Sequence, residues 1–315
     1  MSSILRAGVA GAGVFGGYHA NKYIQAPGVD LVGIFDLDKT RATQLASAHE
    51  VAAFGVDELD EFLSNLDVLT IATPAFAHAS VALRAMAAGV HVYSEKPLAA
   101  TRDDGVSMVD LAKEKGLILA CGHQERAVFE AMGLYGVPEV PIRLEAVRNG
   151  TASARNLDVS VTLDLMIHDL DLALSLAGAE AGGLEARARY RKDKDYKASG
   201  ADEISAEVDF LNGMKGIFQA SRMADARERT MRLVYPSGEV NIDLLNRKFE
   251  NTTPFALNAD FAEAEIARDP LGTSVGRFLS AVRGERDKPL CPGAEALMAL
   301  SLGLSIDEEV GSDQS

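Results

Sequence analysis

Short β-rich apolar segments alternate with longer stretches of helical periodicity over about the first 120 residues. Strands alternating with helices of this length predict βαβ units, in which a parallel sheet carries helices on both faces. The predicted strands cover residues 4–11, 29–36, 66–73, 90–95 and 117–122, and the predicted helices lie near residues 15–25, 39–49, 77–88 and 102–115. We therefore expect a Rossmann doubly wound domain over residues 1–122.

The pattern changes after residue 122, where several strands follow one another with turn signals such as Asn212-Gly213 between them. Such succession predicts an antiparallel arrangement, so residues 123–315 are expected to form an α+β domain with a large, mainly antiparallel open sheet. The helical stretches at 273–285 and 293–310 either stay with this domain or pack back on the first. The predicted strands cover residues 141–149, 183–193, 204–213, 214–223 and 230–243.

The most apolar helical stretch, residues 163–179, carries three ionisable side chains at positions i, i+4 and i+7. At about 100° per residue, Asp164, His168 and Asp171 fall with Ser175 on one narrow stripe of an α-helix. An ordinary surface helix has a broad polar face and one apolar stripe, and this helix inverts that proportion. The stripe is therefore expected to face a polar site, with Asp171 and Ser175 in supporting roles.

Composition excludes several function classes. Thirty-one basic and 46 acidic residues give a net charge of −15, which argues against a nucleic-acid or anionic-membrane surface. Two cysteines fit neither a disulfide framework nor a zinc site and indicate a reducing, cytoplasmic compartment, and we expect no bound metal. No apolar run is long enough for a membrane span or an export signal. The length of 315 residues favours two domains.

A glycine-rich loop after the first predicted strand fits a dinucleotide site. Gly11-x-Gly13-x-x-Gly16 precedes a predicted helix, so Val14 and Phe15 would lie at the helix end that receives the diphosphate. Asp36 ends the second predicted strand 20 residues after the last glycine, as expected of the carboxylate that binds the adenosine ribose. Because this carboxylate would repel a 2′-phosphate, NAD is favoured over NADP, although Lys39 and Arg41 lie nearby.

Two later strand ends carry further candidate cofactor contacts, since ligands of doubly wound sheets bind beyond the carboxyl ends of the strands. Thr73-Pro74 ends one predicted strand, and His78 follows about one helical turn later, either as a cofactor contact or as an ordinary histidine near a helix start. Glu95 and Lys96 end the next one. The proline after Lys96 favours an extended backbone that projects the ammonium group into the crevice.

These motifs together resemble the Gfo/Idh/MocA oxidoreductase family from about residue 4 to about residue 308: Gly11-x-Gly13-x-x-Gly16, Asp36, Ala-Thr-Pro with His78, Glu95-Lys96-Pro97 and Asp164-x-x-x-His168. The resemblance implies a Rossmann domain followed by an open-sheet domain that often supports a homodimer or homotetramer. It implies catalysis by Lys96, Asp164 and His168. The family's substrates are mostly sugars, cyclitols and nucleotide sugars, oxidised at a secondary alcohol.

A narrower resemblance, carried by residues 121–134 and 147–174, is to the UDP-N-acetylglucosamine 3-dehydrogenases of bacteria and archaea. Those enzymes usually continue Arg-Phe-Asn-Pro where this chain has Arg126-Ala127-Val128-Phe129, so the substrate stays open. The diphosphate of a nucleotide sugar would need cations, for which Arg126, Arg148 and Arg155 are candidates. The candidate substrate-binding residues are Lys96, His123, Gln124, Arg126, Arg155, Asp164 and His168.

The chemistry of alcohol oxidation suggests a role for each catalytic candidate. The imidazole of His168 is matched to the hydroxyl proton, Asp164 would orient it or relay its proton, and Lys96 would stabilise the developing alkoxide. Two alternatives stay open. One is an inositol or free aldose dehydrogenase of the same family, and the other is an NAD-binding regulator without catalytic activity.

Overall fold

The short apolar segments of the first half form one parallel sheet. The structure is a computed structural model that describes residues 4–151, 159–190 and 200–312. Its first six strands are β1 (Leu5–Ala10), β2 (Val29–Phe35), β3 (Ala52–Phe54), β4 (Val68–Ile71), β5 (His91–Ser94) and β6 (Leu119–Cys121). They lie in the order β3-β2-β1-β4-β5-β6 with every pairing parallel, which confirms the Rossmann prediction.

Helices connect these strands and begin or end where the sequence provides caps. Asp38 accepts a hydrogen bond from the Thr40 N–H at one helix start, and Thr101 caps another through the Asp104 N–H. Gly116, at φ 65°, ends the latter in the left-handed conformation. The helices are α1 (Val14–Gln25), α2 (Lys39–Ala48), α3 (Leu59–Ser64), α4 (Ala75–Ala87) and α5 (Arg102–Lys115).

The described residues of the second half form a seven-stranded sheet and five further α-helices. Its strands are β7 (Arg143–Asn149), β8 (Ala181–Arg189), β9 (Glu203–Phe210), β10 (Lys215–Ser221), β11 (Glu228–Tyr235), β12 (Gly238–Asp243) and β13 (Lys248–Asn251). They lie in the order β13-β12-β11-β7-β10-β9-β8, and of the pairings between these described strands only β7–β10 is parallel, which confirms the mainly antiparallel sheet. The helices are α6 (Glu125–Met132), α7 (Ile167–Ala177), α8 (Glu265–Arg268), α9 (Pro270–Val282) and α10 (Gly293–Ser312).

The chain divides into two units, each made of two separate segments. The first unit comprises Met1–Gln124 and Asp269–Leu297, and the second comprises Glu125–Arg268 and Met298–Ser315. The segment from Asp269 to Leu297 thus belongs with the Rossmann sheet, one of the two arrangements left open by the sequence. Helix α10 begins in the first unit and ends in the second.

Helix α9 completes the core of the first unit. Phe278 is fully buried, and its ring lies 5.8 Å from that of Tyr93 on β5 in an edge-to-face arrangement. Val275 and Leu279 join the same apolar cluster, which also includes Tyr23 of α1. The first unit therefore depends on a segment almost 150 residues beyond its main body in the sequence, since 269 − 124 = 145.

The apolar stretch at 163–179 is helical, but it is not one continuous α-helix. Thr162–Met166 is π-helical, and α7 then runs from Ile167 to Ala177. A π-helical turn contains more residues than an α-helical one, so the rotation per residue is smaller than the 100° assumed in the prediction. Asp164 and His168 therefore do not have the angular relation predicted for an α-helix. Asp171 is fully buried, which the stripe prediction did not anticipate, whereas Asp164, His168 and Ser175 are partly exposed. No helix among the described residues is long and apolar enough to cross a membrane.

Candidate active site

The parallel register brings the predicted cofactor residues to one edge of the first sheet. Ala10 on β1 pairs with Phe35 on β2 and with Ile71 on β4. Ser94, the last residue of β5, pairs in turn with Ile71 and with Cys121. The segments that follow these strands therefore leave the sheet side by side. They carry Gly11, Asp36, Thr73, Glu95 with Lys96, and His123.

The glycine loop has the backbone geometry that a dinucleotide diphosphate requires. Gly11 has φ 102°, and a Cβ there would lie 2.5 Å from the carbonyl oxygen of Ala72. A Cβ on Gly16 would collide with the Gly11 carbonyl oxygen, whereas one on Gly13 would meet only Arg41, at 3.5 Å. Gly11 and Gly16 thus need glycine because a side chain would clash with backbone, whereas Gly13 leaves open space beside the loop. These features fit NAD.

Helix α1 begins directly at this loop, so its first N–H groups have no partners within the helix. The first helical hydrogen bond of the loop runs from the Gly17 N–H to the Gly13 carbonyl. Val14 and Phe15, in the first turn, are 61% and 51% exposed. Among the described residues, the buried Thr73 hydroxyl on the neighbouring strand end has no hydrogen-bond partner, which also fits a site that receives a ligand.

Asp36 holds the glycine loop through its carboxylate. One oxygen accepts a hydrogen bond of 2.7 Å from the Ala12 N–H, and the other accepts one of 2.9 Å from the Asp38 N–H. Each carboxylate oxygen keeps a further lone pair for a ribose hydroxyl. The Lys39 ammonium lies 2.6 Å from Glu58, so one of the two nearby cations is engaged by a carboxylate.

His78 is buried, and it bridges two strand-end loops. Its Nε2 lies 2.9 Å from the Thr73 carbonyl oxygen and its Nδ1 lies 2.8 Å from the Pro97 carbonyl oxygen. Burial lowers the pKa of this imidazole, although the backbone contacts partly oppose the shift. At 1% exposure His78 has little surface left for a ligand, so the structure favours a bracing role over the predicted cofactor contact.

Glu95 is also buried, and it bonds to the protein rather than pointing at solvent. Its Oε1 lies 2.7 Å from His19 Nε2 and accepts a hydrogen bond of 3.2 Å from Gln124. Burial acts to raise the pKa of this carboxyl, but the bond and charge of His19 outweigh it and hold the pKa below its usual value. Lys96, the next residue, is half-buried, and its peptide bond to Pro97 is cis.

In the second unit, Asp164 lies in the π-helical turn that precedes α7. Its carboxylate is 3.3 Å from the guanidinium of Arg222, which also donates to the Val159 and Ser160 carbonyls. Asp307 of α10 accepts hydrogen bonds of 2.6 Å from the hydroxyls of Ser160 and Thr162. These contacts fix the turn that carries Asp164.

His168, one residue into α7, is 21% exposed on a helix whose other residues are mostly buried. Its Nδ1 lies 3.8 Å from a carboxylate oxygen of Glu125 at the start of α6. Arg148 on β7 donates 3.0 and 2.6 Å hydrogen bonds to Glu125 and 2.9 and 2.7 Å hydrogen bonds to Asp169. The carboxylate beside the imidazole is therefore held in place by Arg148, which also pairs with Asp169.

Two of the three arginines predicted as diphosphate contacts are buried in ion pairs with carboxylates. Arg126 is buried and donates bonds of 2.8 and 2.7 Å to the two oxygens of Asp171. Arg148 is equally buried between Glu125 and Asp169. Such bidentate pairs argue against phosphate contacts by these two side chains. Arg155 lies outside the described residues, so its role stays a prediction.

The remaining candidates are divided between the units. His123 and Gln124 lie in the first unit with Lys96, whereas Asp164 and His168 lie in the second. Sequence reasoning overlooked the roles of His19, Glu125, Arg222 and Asp307. Glu125 had a signal, because it stands in the Gly122-His123-Gln124-Glu125-Arg126 segment that carries the narrower resemblance.

Comparison with known proteins adds independent observations. The profile of the GFO/IDH/MocA oxidoreductase family, with an NAD-binding Rossmann fold, matches residues 5–123, and that of the GFO/IDH/MocA C-terminal domain matches residues 144–240. UDP-N-acetylglucosamine 3-dehydrogenase of Acidithiobacillus ferrooxidans is 32% identical over 96% of both chains. A solved structure of that enzyme superposes with a TM-score of 0.87 over 98% of both chains, at 31% identity. The scyllo-inositol 2-dehydrogenase (NAD(+)) of Bacillus subtilis is 27% identical over 70% of this chain and 68% of its own.

Proposed function

Since the chain belongs to the Gfo/Idh/MocA oxidoreductase family, we propose that it oxidises the 3-hydroxyl of UDP-N-acetylglucosamine to a ketone. The chain is an NAD-dependent dehydrogenase that acts on a CH–OH group. The nucleotide-sugar substrate is supported by the similarity to the Acidithiobacillus enzyme over nearly the whole of both chains. The observation that carries the chemistry is His168, a partly exposed imidazole on a mostly buried helix, with a carboxylate oxygen of Glu125 3.8 Å from its Nδ1.

His168 acts as the base in this proposal and takes the proton of the substrate hydroxyl. Lys96 donates a hydrogen bond to the same oxygen and stabilises the negative charge that develops on it. Asp164, held by Arg222 one turn before His168, orders the substrate and the imidazole. Bound NAD, held by the glycine loop and Asp36, would supply the acceptor for the hydride of the carbon that carries the hydroxyl. The proposal includes the joint action of Lys96, Asp164 and His168 on one substrate.

Asp36 supports NAD as the preferred cofactor. Its carboxylate is fixed at the glycine loop by two backbone N–H groups, in position for the ribose hydroxyls. A 2′-phosphate at that place would face a negative charge. Arg41, close to Gly13, is the cation that would soften this preference.

The second candidate function is oxidation of a cyclitol, favoured by the similarity to the inositol dehydrogenase. A neutral cyclitol needs no cation for a diphosphate, and the two buried arginines, Arg126 and Arg148, are engaged by carboxylates. The two substrates therefore differ in their dependence on Arg155. An Arg155→Ala variant should raise KM strongly for a nucleotide sugar and barely for a cyclitol.

The first prediction concerns substrate and base together. Formation of reduced cofactor is followed at 340 nm with UDP-N-acetylglucosamine, other UDP-sugars, myo-inositol and free aldoses, each with NAD and with NADP. We expect the highest kcat/KM with UDP-N-acetylglucosamine and NAD. His168→Ala and Lys96→Ala should each lower kcat by about 10²-fold or more while NAD still binds.

His49→Ala, which replaces a histidine at the end of α2, serves as the control and should keep normal kcat. A preference for myo-inositol would replace the proposed substrate by the second candidate. Near-normal turnover in both the His168 and Lys96 variants would remove those residues from catalysis. The homodimer or homotetramer expected from the resemblance stays a prediction.

A further inference from the structure

Glu125 occupies an unusual position beside the proposed base. It is the first residue of α6, and its side chain is 21% exposed. One of its oxygens, Oε2, lies 2.6 Å from Arg148 Nη2 and 3.8 Å from His168 Nδ1. The same carboxylate thus receives a fixed guanidinium on one side and faces the imidazole on the other. An ion pair needed only for folding would not require the second neighbour.

We propose that Glu125 is a positioning residue for His168, a step that rests on the proposed function. The carboxylate favours the tautomer in which Nδ1 carries the proton, because a proton on that atom faces the negative charge. Nε2 is then left with its lone pair for the substrate hydroxyl. When the substrate proton moves to Nε2, the Nδ1 proton stays in place, and the imidazolium that forms is stabilised by Glu125. The separation of 3.8 Å places the carboxylate close enough for its charge to act on the imidazole, and we expect the contact to shorten when substrate binds.

The charges around Glu125 determine whether this group favours or disfavours the protonated imidazole of His168. Arg148 bridges Glu125 and Asp169, so these three groups together carry one negative charge. Burial raises the pKa of Asp169, whereas Arg148 opposes this shift. Arg229 on β11 lies 4.0 Å from Glu125 and is 44% exposed, so solvent screens its charge. Among the described residues, Glu125 faces the imidazole directly, and Arg148 and Arg229 contact Glu125. Asp169, the next residue on α7, pairs with Arg148, and Asp164 pairs with Arg222 in the turn before α7.

Two substitutions at one position separate charge from shape. Glu125→Gln keeps the size of the side chain and an oxygen for Arg148, but it removes the charge. Glu125→Asp keeps the charge but withdraws it from the imidazole. Glu130→Gln on the same helix is the matched control, and all variants are measured as the full chain with UDP-N-acetylglucosamine and NAD. The readouts are kcat, KM and the pH profile of kcat/KM.

For Glu125→Gln we expect kcat to fall about tenfold or more with KM changed little, and the acidic limb of the profile to move about one unit lower. The limb moves down because an imidazole without the neighbouring negative charge gives up its proton at lower pH. Glu125→Asp should lose several-fold in kcat, and because its charge is withdrawn rather than removed, its limb should move less than that of Glu125→Gln. Glu130→Gln should behave like the unmodified protein.

An unmoved acidic limb in Glu125→Gln would overturn the proposal, and normal kcat in Glu125→Asp would do the same if the Gln variant fails to fold. Equal losses of stability and activity without a limb shift would leave Glu125 as a folding partner of Arg148 only. These outcomes differ from failure of the proposed function. In that case His168→Ala itself keeps turnover, or no sugar nucleotide is oxidised.

Discussion

At the residue scale, identical side chains acquire different roles from their burial and partners. His19 and His78 are buried and bound to other protein groups, whereas His168 keeps one fifth of its side chain exposed. The sequence pattern left His78 open between a cofactor contact and an ordinary histidine near a helix start, since it does not contain the carbonyl groups that surround this side chain in the folded chain. The positions of Gly11 and Asp36 at neighbouring strand ends could be predicted because they depend on local backbone geometry.

The charge pairs could not be predicted in the same way. Arg126 and Asp171 are 45 positions apart in the sequence, and Arg148 and Asp169 are 21 apart, so only the folded chain brings them together. Arg126 and Arg148 are candidates for a substrate diphosphate in the sequence because the pattern shows each cation without its partner. Long-range pairing therefore limits residue-level prediction more than residue type does.

The buried Glu95 carboxylate gives a prediction at this scale. Its pKa is held below the usual value by His19, so its contribution to stability is present above the ordinary pKa of glutamate and is lost as the pH falls through the lowered value. Glu95→Gln should lower the free energy of unfolding by about 1–3 kcal/mol at pH 7, with the deficit shrinking as the pH falls toward 3. Urea unfolding at several pH values measures this difference.

His19→Gln provides the companion measurement for Glu95. Without the imidazole, the largest interactions that oppose the burial of the carboxylate are lost, so this variant should also be less stable at pH 7 and should approach the unmodified protein in acid. A deficit that is constant from pH 7 to pH 3 in both variants would contradict the assigned charge interaction.

At the element scale, strongly patterned segments were predicted well and short ones were missed. The predicted helices at 15–25 and 102–115 match α1 and α5 within one residue. Strand β3, with three residues, and helix α3, with six, were absent from the prediction because such lengths leave little periodicity. The π-helical turn was also missed, since its sequence carries an ordinary helical pattern. Its geometry depends on tertiary partners that include Arg222 and Asp307.

Asp307 provides a prediction for this turn. Burial raises the pKa of its carboxyl, although the hydroxyls of Ser160 and Thr162 oppose the shift. The ionised carboxylate therefore costs stability at neutral pH, and this cost is relieved as the pH falls through the raised value. Asp307→Asn should raise the Tm at pH 8, and the advantage over the unmodified protein should diminish toward pH 4. Glu309→Gln, an exposed change on the same helix, should leave Tm nearly unchanged at both values. A lower Tm for Asp307→Asn at pH 8 would show that the carboxylate is needed in its ionised form.

At the scale of the whole molecule, the order of elements predicted both sheets but not the division of the chain. The βαβ alternation and the succession of strands are properties of neighbouring segments, and they specified the two architectures correctly. Membership of Asp269–Leu297 in the first unit depends instead on the packing of the apolar side chains of α9 in the core of that unit. Helical periodicity in α9 shows that an apolar face exists, but it does not identify the surface that the face packs against.

The last prediction tests this discontinuous core. A fragment of residues 1–124 lacks Val275, Phe278 and Leu279, which complete the apolar cluster around Tyr23 and Tyr93. We expect it to show no cooperative unfolding and no binding of NADH by fluorescence. The same fragment joined through a Gly/Ser linker of about a dozen residues to residues 269–297 should unfold cooperatively and bind NADH. Phe278→Ala in the joined fragment should cost about 3–5 kcal/mol and serves as the control for specific packing. Equal stability and NADH affinity of the short fragment would mean that α9 contributes nothing essential to the Rossmann core.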